Sequence, residues 1–468
     1  MMLRHETSAY GPKRSRRHKL LLICIDGGLL EIVRLLDLFS TTSLGLDLND
    51  SGPRSLATAY PSSTAPSHAS ILSGLDPVVH GVLGNDYPRR CETFGDAPRT
   101  PLSNLYAYSR DTIRSTTIID DMESAGLKWA GIHFPAAFTR ADSSRGSQVL
   151  YAPPRVRPLC PEWSETYFGF DLKFRLTDVG PNATCETPAG PLSLALQIDE
   201  ERGVVCLGRA ALVLGANYSA AEATAATLPH PNASVLSSAE PCSVYDANED
   251  VPTPQWITAQ AAAAASISDV VLLRYNHCDH AQEALYGGTS GVHTSARRLG
   301  SLDRILDTYL IVEDEIRRLV HLTEPESIIL LSDHGIARRR YLYRPNVLLA
   351  DRQSNSRFFG DSNISYLTGN ETDERIEAAL ASCPMPFPVS WRRRTEWGWP
   401  TIEVPADVEI AYDGGAVVEE VWGGSHGGKA AEEPTLDGFI RYLGPYQGAL
   451  PTRVADVRAF VRMLMTQC

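Results

Sequence analysis

Five side chains that can bind metal ions follow stretches with strand-like or loop-like sequence. Asp26 follows the apolar run LLLICI, Asp279 follows VVLLRYNHC, and Asp333 and His334 follow SIILLS. His426 lies in the glycine loop GGSHGG. Because functional residues gather beyond the carboxyl ends of parallel strands, these side chains are predicted to lie together. Carboxylate oxygens and imidazole nitrogens suit zinc, with manganese as an alternative, so the pattern predicts a site for one or two divalent cations.

A further reactive group, the hydroxyl of Thr64, lies in the stretch PSSTAPSHASILSGLDPVVHG. Pro66 suits the first turn of a helix, and Gly74 followed by Pro77 ends one, so Thr64 is predicted at a helix N-terminus. A hydroxyl there can cap backbone N–H groups, or it can be a nucleophile stabilised by the helix dipole. The local sequence favours the cap and leaves both roles open.

The elements that would position these residues alternate between strand and helix. The predicted strands are KLLLICIDGG, LKWAGIHF, DVVLLRY, SIILLSDHG and LDGFIRYLG. The predicted helices are LLEIVRLLDLF, TTIIDDMESAG, RRLGSLDRILDTYLIVEDEIRRLV and TRVADVRAFVRMLM. This alternation predicts an α/β fold with a doubly wound parallel sheet.

Composition divides the chain into three regions. Residues 1–18 are basic and are predicted to be a disordered tail. Residues 19–139 and 256–468 carry the α/β pattern and are predicted to form the catalytic core. Residues 140–255 are rich in Pro, Ser, Ala and Thr without steady periodicity, which predicts a large insertion or cap.

The overall composition excludes two classes of protein. The chain has 468 residues, of which 43% are hydrophobic, and a net charge of −13. This acidic balance argues against a nucleic-acid scaffold, which usually has a basic face. No apolar run is long enough to span a membrane. An anionic substrate would be repelled by the net charge, so local cations must attract it, and this again points to metal ions.

The sequence gives conflicting signs of the cellular compartment. Six N-glycosylation sequons suggest a secreted glycoprotein, but no signal peptide is readable in the sequence. The sequons are at Asn49, Asn182, Asn217, Asn232, Asn363 and Asn370. Cys24 is predicted to be a buried free thiol. Four further cysteines, at 160, 185, 206 and 242, fall in one segment and could form two disulfide bridges.

The motifs together resemble the alkaline phosphatase superfamily, and within it the nucleotide pyrophosphatase/phosphodiesterase (type I phosphodiesterase) family. CIDGG, PSSTAPSHASILSGLDPVVHGVLGN, SDHG and GSHGG occur in the family's order, over about 20–140 and 265–450. The resemblance implies a three-layer α/β/α fold with a mostly parallel central sheet that carries a large insertion. It also implies hydrolysis of phosphodiester or phosphoanhydride bonds by a threonine nucleophile and two divalent metal ions, with zinc expected.

The resemblance assigns roles to individual residues. Thr64 matches the nucleophile, and Asn85 matches a side chain that donates a hydrogen bond to a phosphoryl oxygen of the substrate. Thr64, Asp26, Asp333 and His334 match ligands of the first metal. Asp279 and His426 match ligands of the second.

The chain departs from the family's pattern at two positions. The family usually has a histidine four residues after the aspartate matched to Asp279, and this chain has Glu283 there. Either Glu283 or His280 could complete the second metal site, and a rival register that pairs Asn276 with His280 ranks lower. The second departure is Ala65, where nucleotide-cleaving relatives often carry a base-stacking aromatic residue.

Four other histidines have ordinary interpretations. His68 is expected on a helix face, His80 in a turn, and His277 in an exposed loop. His133 ends a strand near the expected site, and a core position is favoured over contact with the substrate.

Two other functions compete with phosphodiester hydrolysis. One is a phosphoethanolamine-type phosphotransferase, whose relatives are embedded in membranes. The other is a pseudoenzyme or binding protein that has lost one metal site. A sulfatase is disfavoured because the sequence lacks the Cys-x-Pro-x-Arg signature. The expected partner is a small phosphodiester or nucleotide substrate.

Overall fold

The computed structural model describes residues 20–85, 113–137, 253–286 and 295–466, apart from 352–353, 355, 370, 394–397 and 412–414, and also the backbone of strands between 146 and 214. The predicted tail at 1–18 and the four cysteines between 160 and 242 lie outside the described side chains. The boundaries of the three regions stay a prediction.

The described residues form 21 strands and eleven α-helices. The strands are β1 (Leu20–Ile25), β2 (Arg54–Leu56), β3 (Trp129–Ile132), β4 (Gly146–Ala152), β5 (Glu162–Tyr167), β6 (Phe170–Arg175), β7 (Thr184–Thr187), β8 (Gly190–Ser193), β9 (Leu196–Asp199), β10 (Val204–Leu207), β11 (Ala210–Leu214), β12 (Val270–Tyr275), β13 (Ser327–Leu331), β14 (Ala337–Tyr343), β15 (Arg357–Asp361), β16 (Ile364–Thr368), β17 (Ser390–Arg392), β18 (Thr401–Glu403), β19 (Val408–Ile410), β20 (Val418–Ser425) and β21 (Gly438–Leu443). The helices are α1 (Leu30–Leu35), α2 (Thr41–Leu44), α3 (Thr64–Ser73), α4 (Pro77–His80), α5 (Ile118–Ser124), α6 (Pro254–Ala265), α7 (His277–Leu285), α8 (Ser295–Thr323), α9 (Pro345–Asp351), α10 (Asp373–Leu380) and α11 (Val457–Thr466).

The largest sheet of the described chain has ten strands in the order β2-β21-β13-β1-β12-β3-β4-β11-β10-β9. The six strands from β13 to β11 in this order are parallel to one another. The remaining pairs, towards both edges of the sheet, are antiparallel. At the centre, Leu20 of β1 lies opposite Val270 of β12 on one side and Ser327 of β13 on the other. The carboxyl ends of these three strands therefore lie side by side.

Strand β1 is buried on both faces, and its alternate residues belong to two different cores. Leu21 and Ile23 pack with residues of α6 and α8, whereas Leu20 and Leu22 pack with residues of α3, α5 and α11. Successive side chains of a strand point to opposite faces, so an unbroken apolar run is the pattern of a strand covered by helices on both sides. The predicted three-layer α/β/α fold is confirmed.

A smaller β region lies in the chain between β13 and β21 of the central sheet. Strands β19, β14 and β20 form one sheet, and β15, β16, β18 and β17 form another. Their apolar core includes Tyr343, Leu349, Phe358 and Ile402. This region delivers His426, which directly follows β20.

The structure corrects one predicted helix and confirms one predicted thiol. The helix predicted over LLEIVRLLDLF ends at Leu35, and Asp37 and Phe39 have φ values of 48° and 59°. The N–H of Phe39 donates instead to Glu313 Oε1 at 2.7 Å. Cys24 is a buried free thiol, as predicted. No helix within the described ranges is long and apolar enough to cross a membrane.

The sequon at Asn363 is inaccessible to a glycan in the folded protein, because this residue is only 1% exposed. Its Nδ2 donates to the carbonyl oxygens of Pro405, at 2.7 Å, and of Val408. Asn49 is exposed. The side chains at 182, 217, 232 and 370 lie outside the described residues.

Candidate active site

The metal-binding side chains predicted from the sequence lie at the carboxyl edge of the central sheet. Asp26 follows β1, Asp333 and His334 follow β13, and β12 leads into α7, which carries Asp279 in its first turn. The ligand atoms of Asp26, Asp333 and His334 lie within 4.8 Å of one another, and so do those of Asp279, His334 and His426. The two groups of three share His334, so they form one continuous site.

His334 contacts the first pair of carboxylates and Thr64. Its Nε2 is 3.3 Å from Asp26 Oδ1, 3.5 Å from Asp333 Oδ2 and 3.2 Å from Thr64 Oγ1. Its Nδ1 is 3.0 Å from the carbonyl oxygen of Gly335, so Nδ1 carries a hydrogen and donates it. This bond fixes the ring with Nε2 towards the carboxylates, as in histidines that ligate metals.

The second group combines α7 with the loop that follows β20. His426 Nε2 is 3.3 Å from Glu283 Oε1, and the rings of His426 and His334 have centroids 4.4 Å apart. Asp279 and Glu283 are one turn apart on α7, which places them on one face of the helix. The N–H of Gly427 donates to Ser62 Oγ at 3.0 Å, and this bond ties the His426 loop to the loop before Thr64.

The alternative ligand, His280, has a different neighbour. Its Nε2 is 3.1 Å from Nδ2 of Asn276, so these two side chains pair with each other along α7. The expectation that His277 lies in an exposed loop is wrong. His277 is fully buried, and it is the first residue of α7 rather than part of a loop.

Thr64 is the first residue of α3, and Ser63 occupies the preceding cap position. The hydroxyl of Thr64 therefore does not cap the helix, and it points to His334 instead. The N–H of Ala65 is capped by Asn85, whose Oδ1 accepts from it at 2.8 Å. This hydrogen bond holds the carboxamide of Asn85 beside Thr64.

The site holds more buried carboxylate oxygens than the protein satisfies. Asp26, Asp279, Glu283 and Asp333 supply four carboxylates, and the guanidinium of Arg274 pairs with one of them at 2.9 Å. One oxygen of each aspartate is buried and accepts no hydrogen bond, namely Asp26 Oδ1, Asp279 Oδ1 and Asp333 Oδ2. Buried polar atoms without partners are costly, and divalent cations would satisfy all three. The donor set therefore fits metal ions.

Crowding of these charges moves their pKa values. Burial, together with Glu283 and Asp26, raises the pKa of Asp279 to about 7. Burial also opposes ionisation of Asp26, but Arg274 and His334 hold its pKa well below the usual range. Burial lowers the pKa of His334, yet Asp333 and Asp26 outweigh burial and raise it to about 9. Asp279 and His334 thus hold protons near neutral pH that a bound divalent cation would displace.

The sequence interpretation missed a contact of His68 with the site. His68 Nδ1 is 2.9 Å from the carbonyl oxygen of Thr64 and 3.2 Å from Asp333 Oδ2. The ring thus links the backbone of Thr64 to a carboxylate of the site. The spacing of four residues from Thr64, which places both on one face of α3, was the available signal.

It also missed Arg274 and the bond that joins it to His133, whose buried position was expected. Arg274 Nη1 donates to Asp26 Oδ2 at 2.9 Å, and Arg274 Nη2 donates to His133 Nε2 at 3.2 Å. Both side chains are buried. An arginine inside the apolar run VVLLRY was the signal, since a buried charge needs a buried partner.

Solved structures with a similar fold span nearly the whole chain. Murine ectonucleotide pyrophosphatase/phosphodiesterase 5 superposes with a TM-score of 0.55 at 12% identity, over 96% of this chain and 95% of that chain. The human protein of the same name gives 0.54 at 13% identity, again over 96% and 95%. Phosphonoacetate hydrolase from Sinorhizobium meliloti 1021 gives 0.52 at 13% identity, over 96% of each chain. These similarities establish the fold.

Sequence comparison identifies the family. No curated protein matches the chain significantly in sequence. The family model described as type I phosphodiesterase/nucleotide pyrophosphatase matches residues 46–382, which is more than half of the chain. The chain therefore belongs to the type I phosphodiesterase/nucleotide pyrophosphatase family, and it is a hydrolase.

Proposed function

We propose that the protein is a metal-dependent phosphodiesterase or nucleotide pyrophosphatase in which Thr64 is the nucleophile. The observation that carries the proposal is the position of Thr64 Oγ1, 3.2 Å from His334 Nε2 at the N-terminus of α3. The same His334 nitrogen lies 3.3 Å from Asp26 Oδ1 and 3.5 Å from Asp333 Oδ2, two buried oxygens that accept no hydrogen bond. A hydroxyl that caps no helix and faces a metal-type donor set is suited to attack on phosphorus.

Two sets of residues would hold the metal ions. Asp26, Asp333, His334 and Thr64 form the first, and Asp279, Glu283 and His426 form the second. Bound divalent cations would supply positive charge that favours the alkoxide form of the nucleophile and stabilises charge on the phosphoryl oxygens. Zinc suits the mixed oxygen and nitrogen donors, and the four carboxylates also suit manganese.

We favour Glu283 over His280 in the second set. Glu283 lies on the face of α7 that meets His426, 3.3 Å away, whereas His280 pairs with Asn276. The side chain of Glu283 is 39% exposed, which places it at the entrance of the site rather than at its base.

The proposed reaction has two steps. Thr64 Oγ1 forms a bond to phosphorus while the bond from phosphorus to the leaving oxygen breaks, and the hydroxyl proton passes to solvent. Water then attacks the phosphothreonyl group, the bond to Oγ1 breaks, and the hydroxyl is restored. Asn85, held by the N–H of Ala65, is placed to donate from Nδ2 to a non-bridging oxygen of the phosphoryl group.

The proposed substrate is a small phosphodiester, and a nucleotide is the first candidate. Support comes from a related structure, in which an inactive threonine-to-alanine variant of murine ectonucleotide pyrophosphatase/phosphodiesterase 5 is in complex with AMP. Ala65 offers no ring for a base to stack on, so we expect the base to contribute little to binding at this position. Family membership favours a hydrolase over the binding-protein alternative.

The test compares wild type with Thr64→Ala and the matched control Thr64→Ser, which keeps a hydroxyl. We expect zinc- or manganese-dependent cleavage of bis(p-nitrophenyl) phosphate in wild type, measurable activity in Thr64→Ser, and loss of about a thousandfold or more in Thr64→Ala. The p-nitrophenyl ester of thymidine 5′-phosphate tests nucleotides, and p-nitrophenyl phosphate tests monoesters. Cleavage that survives in Thr64→Ala, or in the presence of chelator, would refute the proposal.

A further inference from the structure

Strand β12 carries a cation, Arg274, within a run of buried residues, and its guanidinium donates to two side chains beside the site. Nη1 donates to Asp26 Oδ2 at 2.9 Å, and Nη2 donates to His133 Nε2 at 3.2 Å. A guanidinium is always a donor, so His133 Nε2 must be the acceptor and the neutral ring carries its hydrogen on Nδ1. The arginine therefore links a carboxylate after β1 to an imidazole after β3.

The backbone of His133 is unusual for a residue with a side chain. His133 has a φ of 52°, in the left-handed region, and its side chain is buried. Such a conformation costs of the order of 1 kcal/mol, and it persists where surrounding contacts hold the residue in place. The bond from Arg274 is a contact of this kind.

The two oxygens of Asp26 have different surroundings. Oδ2 is engaged by Arg274, whereas Oδ1 is 3.3 Å from His334 Nε2 and accepts no hydrogen bond. Because Arg274 holds Oδ2, rotation of the carboxylate is restricted, and Oδ1 stays directed at the position proposed for the first metal. A ligand fixed before the cation binds loses less conformational freedom on binding.

We propose that Arg274 and His133 form a clamp that positions Asp26 as a ligand through a single oxygen, Oδ1. The inference rests on the proposed function, since it requires a metal ion beside Asp26. Arg274 and His133 are positioning residues, because they act through Asp26. The competing explanation is that Arg274 only neutralises a buried carboxylate and stabilises the fold.

The test uses substitutions that preserve the charge of the clamp. Arg274→Lys keeps the cation but offers no second arm to His133. His133→Gln keeps an acceptor near the position of Nε2, and His133→Met has similar size without that acceptor. Both variants of His133 carry the same backbone strain, so they form a matched pair.

The readout is the dissociation constant for Zn²⁺, measured by chelator competition, together with kcat and KM for bis(p-nitrophenyl) phosphate at saturating Zn²⁺. Partners that orient metal ligands affect metal affinity by about 10–100-fold, so we expect Arg274→Lys to weaken Zn²⁺ binding about tenfold or more. The change in the logarithm of the Zn²⁺ dissociation constant should be roughly half as large for His133→Met as for Arg274→Lys. The dissociation constant of His133→Gln should stay within about twofold of the wild-type value. In both weakened variants kcat should fall with KM nearly unchanged.

Equal Zn²⁺ affinity and kcat in wild type, Arg274→Lys and His133→Met would overturn the clamp, whatever happens to their unfolding temperatures. If Arg274→Lys does not fold, the His133 pair alone decides between the two explanations. Absence of Zn²⁺ binding in wild type would refute the proposed function, and it is distinguished from failure of the clamp because wild type is measured first.

Discussion

Gly27 provides the space between the first and second groups of ligands, and Gly27→Ala is expected to disrupt it. Gly27 has a φ of +65°, and an added Cβ would lie 2.7 Å from Asp279 Oδ1 and 2.8 Å from Asp279 Cα. The carboxylate could rotate away, but the Cα belongs to the backbone of α7. The substitution must therefore displace either the loop after Asp26 or the first turn of α7.

The size of the effect follows from comparison with Gly52→Ala. Gly52 has a φ of +67°, and an added Cβ there meets nothing within 4 Å. In both variants the left-handed backbone costs about 1–2 kcal/mol relative to glycine. Collision with α7 adds overpacking of about 1–3 kcal/mol in Gly27→Ala alone. The difference between the two variants thus isolates the collision.

Urea unfolding in the presence of chelator gives the free energy of unfolding without a contribution from metal binding. We expect the free energy of unfolding of Gly27→Ala to be about 1–3 kcal/mol lower than that of Gly52→Ala. With metal restored, diesterase kcat/KM should fall at least about tenfold in Gly27→Ala, because Asp279 moves, and should be unchanged in Gly52→Ala. Equal free energies of unfolding, with full activity in Gly27→Ala, would refute the close approach of Gly27 to α7.

Three further predictions concern single side chains. Glu283→His replaces an oxygen donor by nitrogen, so the affinity for zinc relative to manganese should rise about tenfold in chelator competition; an unchanged ratio would place Glu283 outside the metal site. Burial lowers the pKa of His80 from 6.5 to about 4. Between these pH values His80 is therefore protonated in the unfolded chain but neutral in the folded protein. The free energy of unfolding should therefore have its full value above pH 6.5 and fall by up to about 3 kcal/mol as the pH drops to 4. Urea unfolding of His80→Gln should show a smaller decrease over the same pH range. Asn363→Ala should lower the free energy of unfolding by about 2–3 kcal/mol through loss of two buried hydrogen bonds, whereas the exposed control Asn49→Ala should leave it unchanged.

The sequence predicted the parts of the site that depend on strand order. Asp26, Asp333 and His334 directly follow apolar runs that form adjacent parallel strands, β1 and β13. Once those runs are recognised as central strands, their carboxyl ends must meet, and no knowledge of side-chain packing is needed. The fold class and this part of the site were therefore predictable from local pattern and a general rule of sheet topology.

The role of Thr64 could not be decided from its own segment. A hydroxyl at a helix start ordinarily caps the helix, and the local sequence gave no reason to assign the cap of α3 to a residue other than Thr64. In the structure the N–H of Ala65 is satisfied by Asn85, which is twenty residues further along the chain. A contact of this range depends on how α4 and the following loop fold back, and no spacing rule predicts it.

The partners of Asp26 were missed for a similar reason. Arg274 lies on β12 and His133 follows β3, so their bond joins two strands that are distant in sequence but adjacent in the sheet. A single buried arginine indicates that an acceptor exists, but it does not identify which one. The left-handed backbone of His133 gives no sequence signal, since this conformation is uncommon for histidine.

The proposed choice of Glu283 over His280 rests on how β20 packs against α7. Asp279 with Glu283, and Asn276 with His280, are both pairs at a spacing of four, so the helical repeat of α7 cannot separate them. The approach of β20 separates them in the structure. Added Cβ atoms at Gly423 and Gly424 would lie 2.7 and 2.6 Å from the carbonyl oxygens of Glu283 and Gln282. Because only residues without side chains permit this contact, the glycine pair in VWGGSHGG lets β20 lie against α7 and brings His426 to Glu283 rather than to His280.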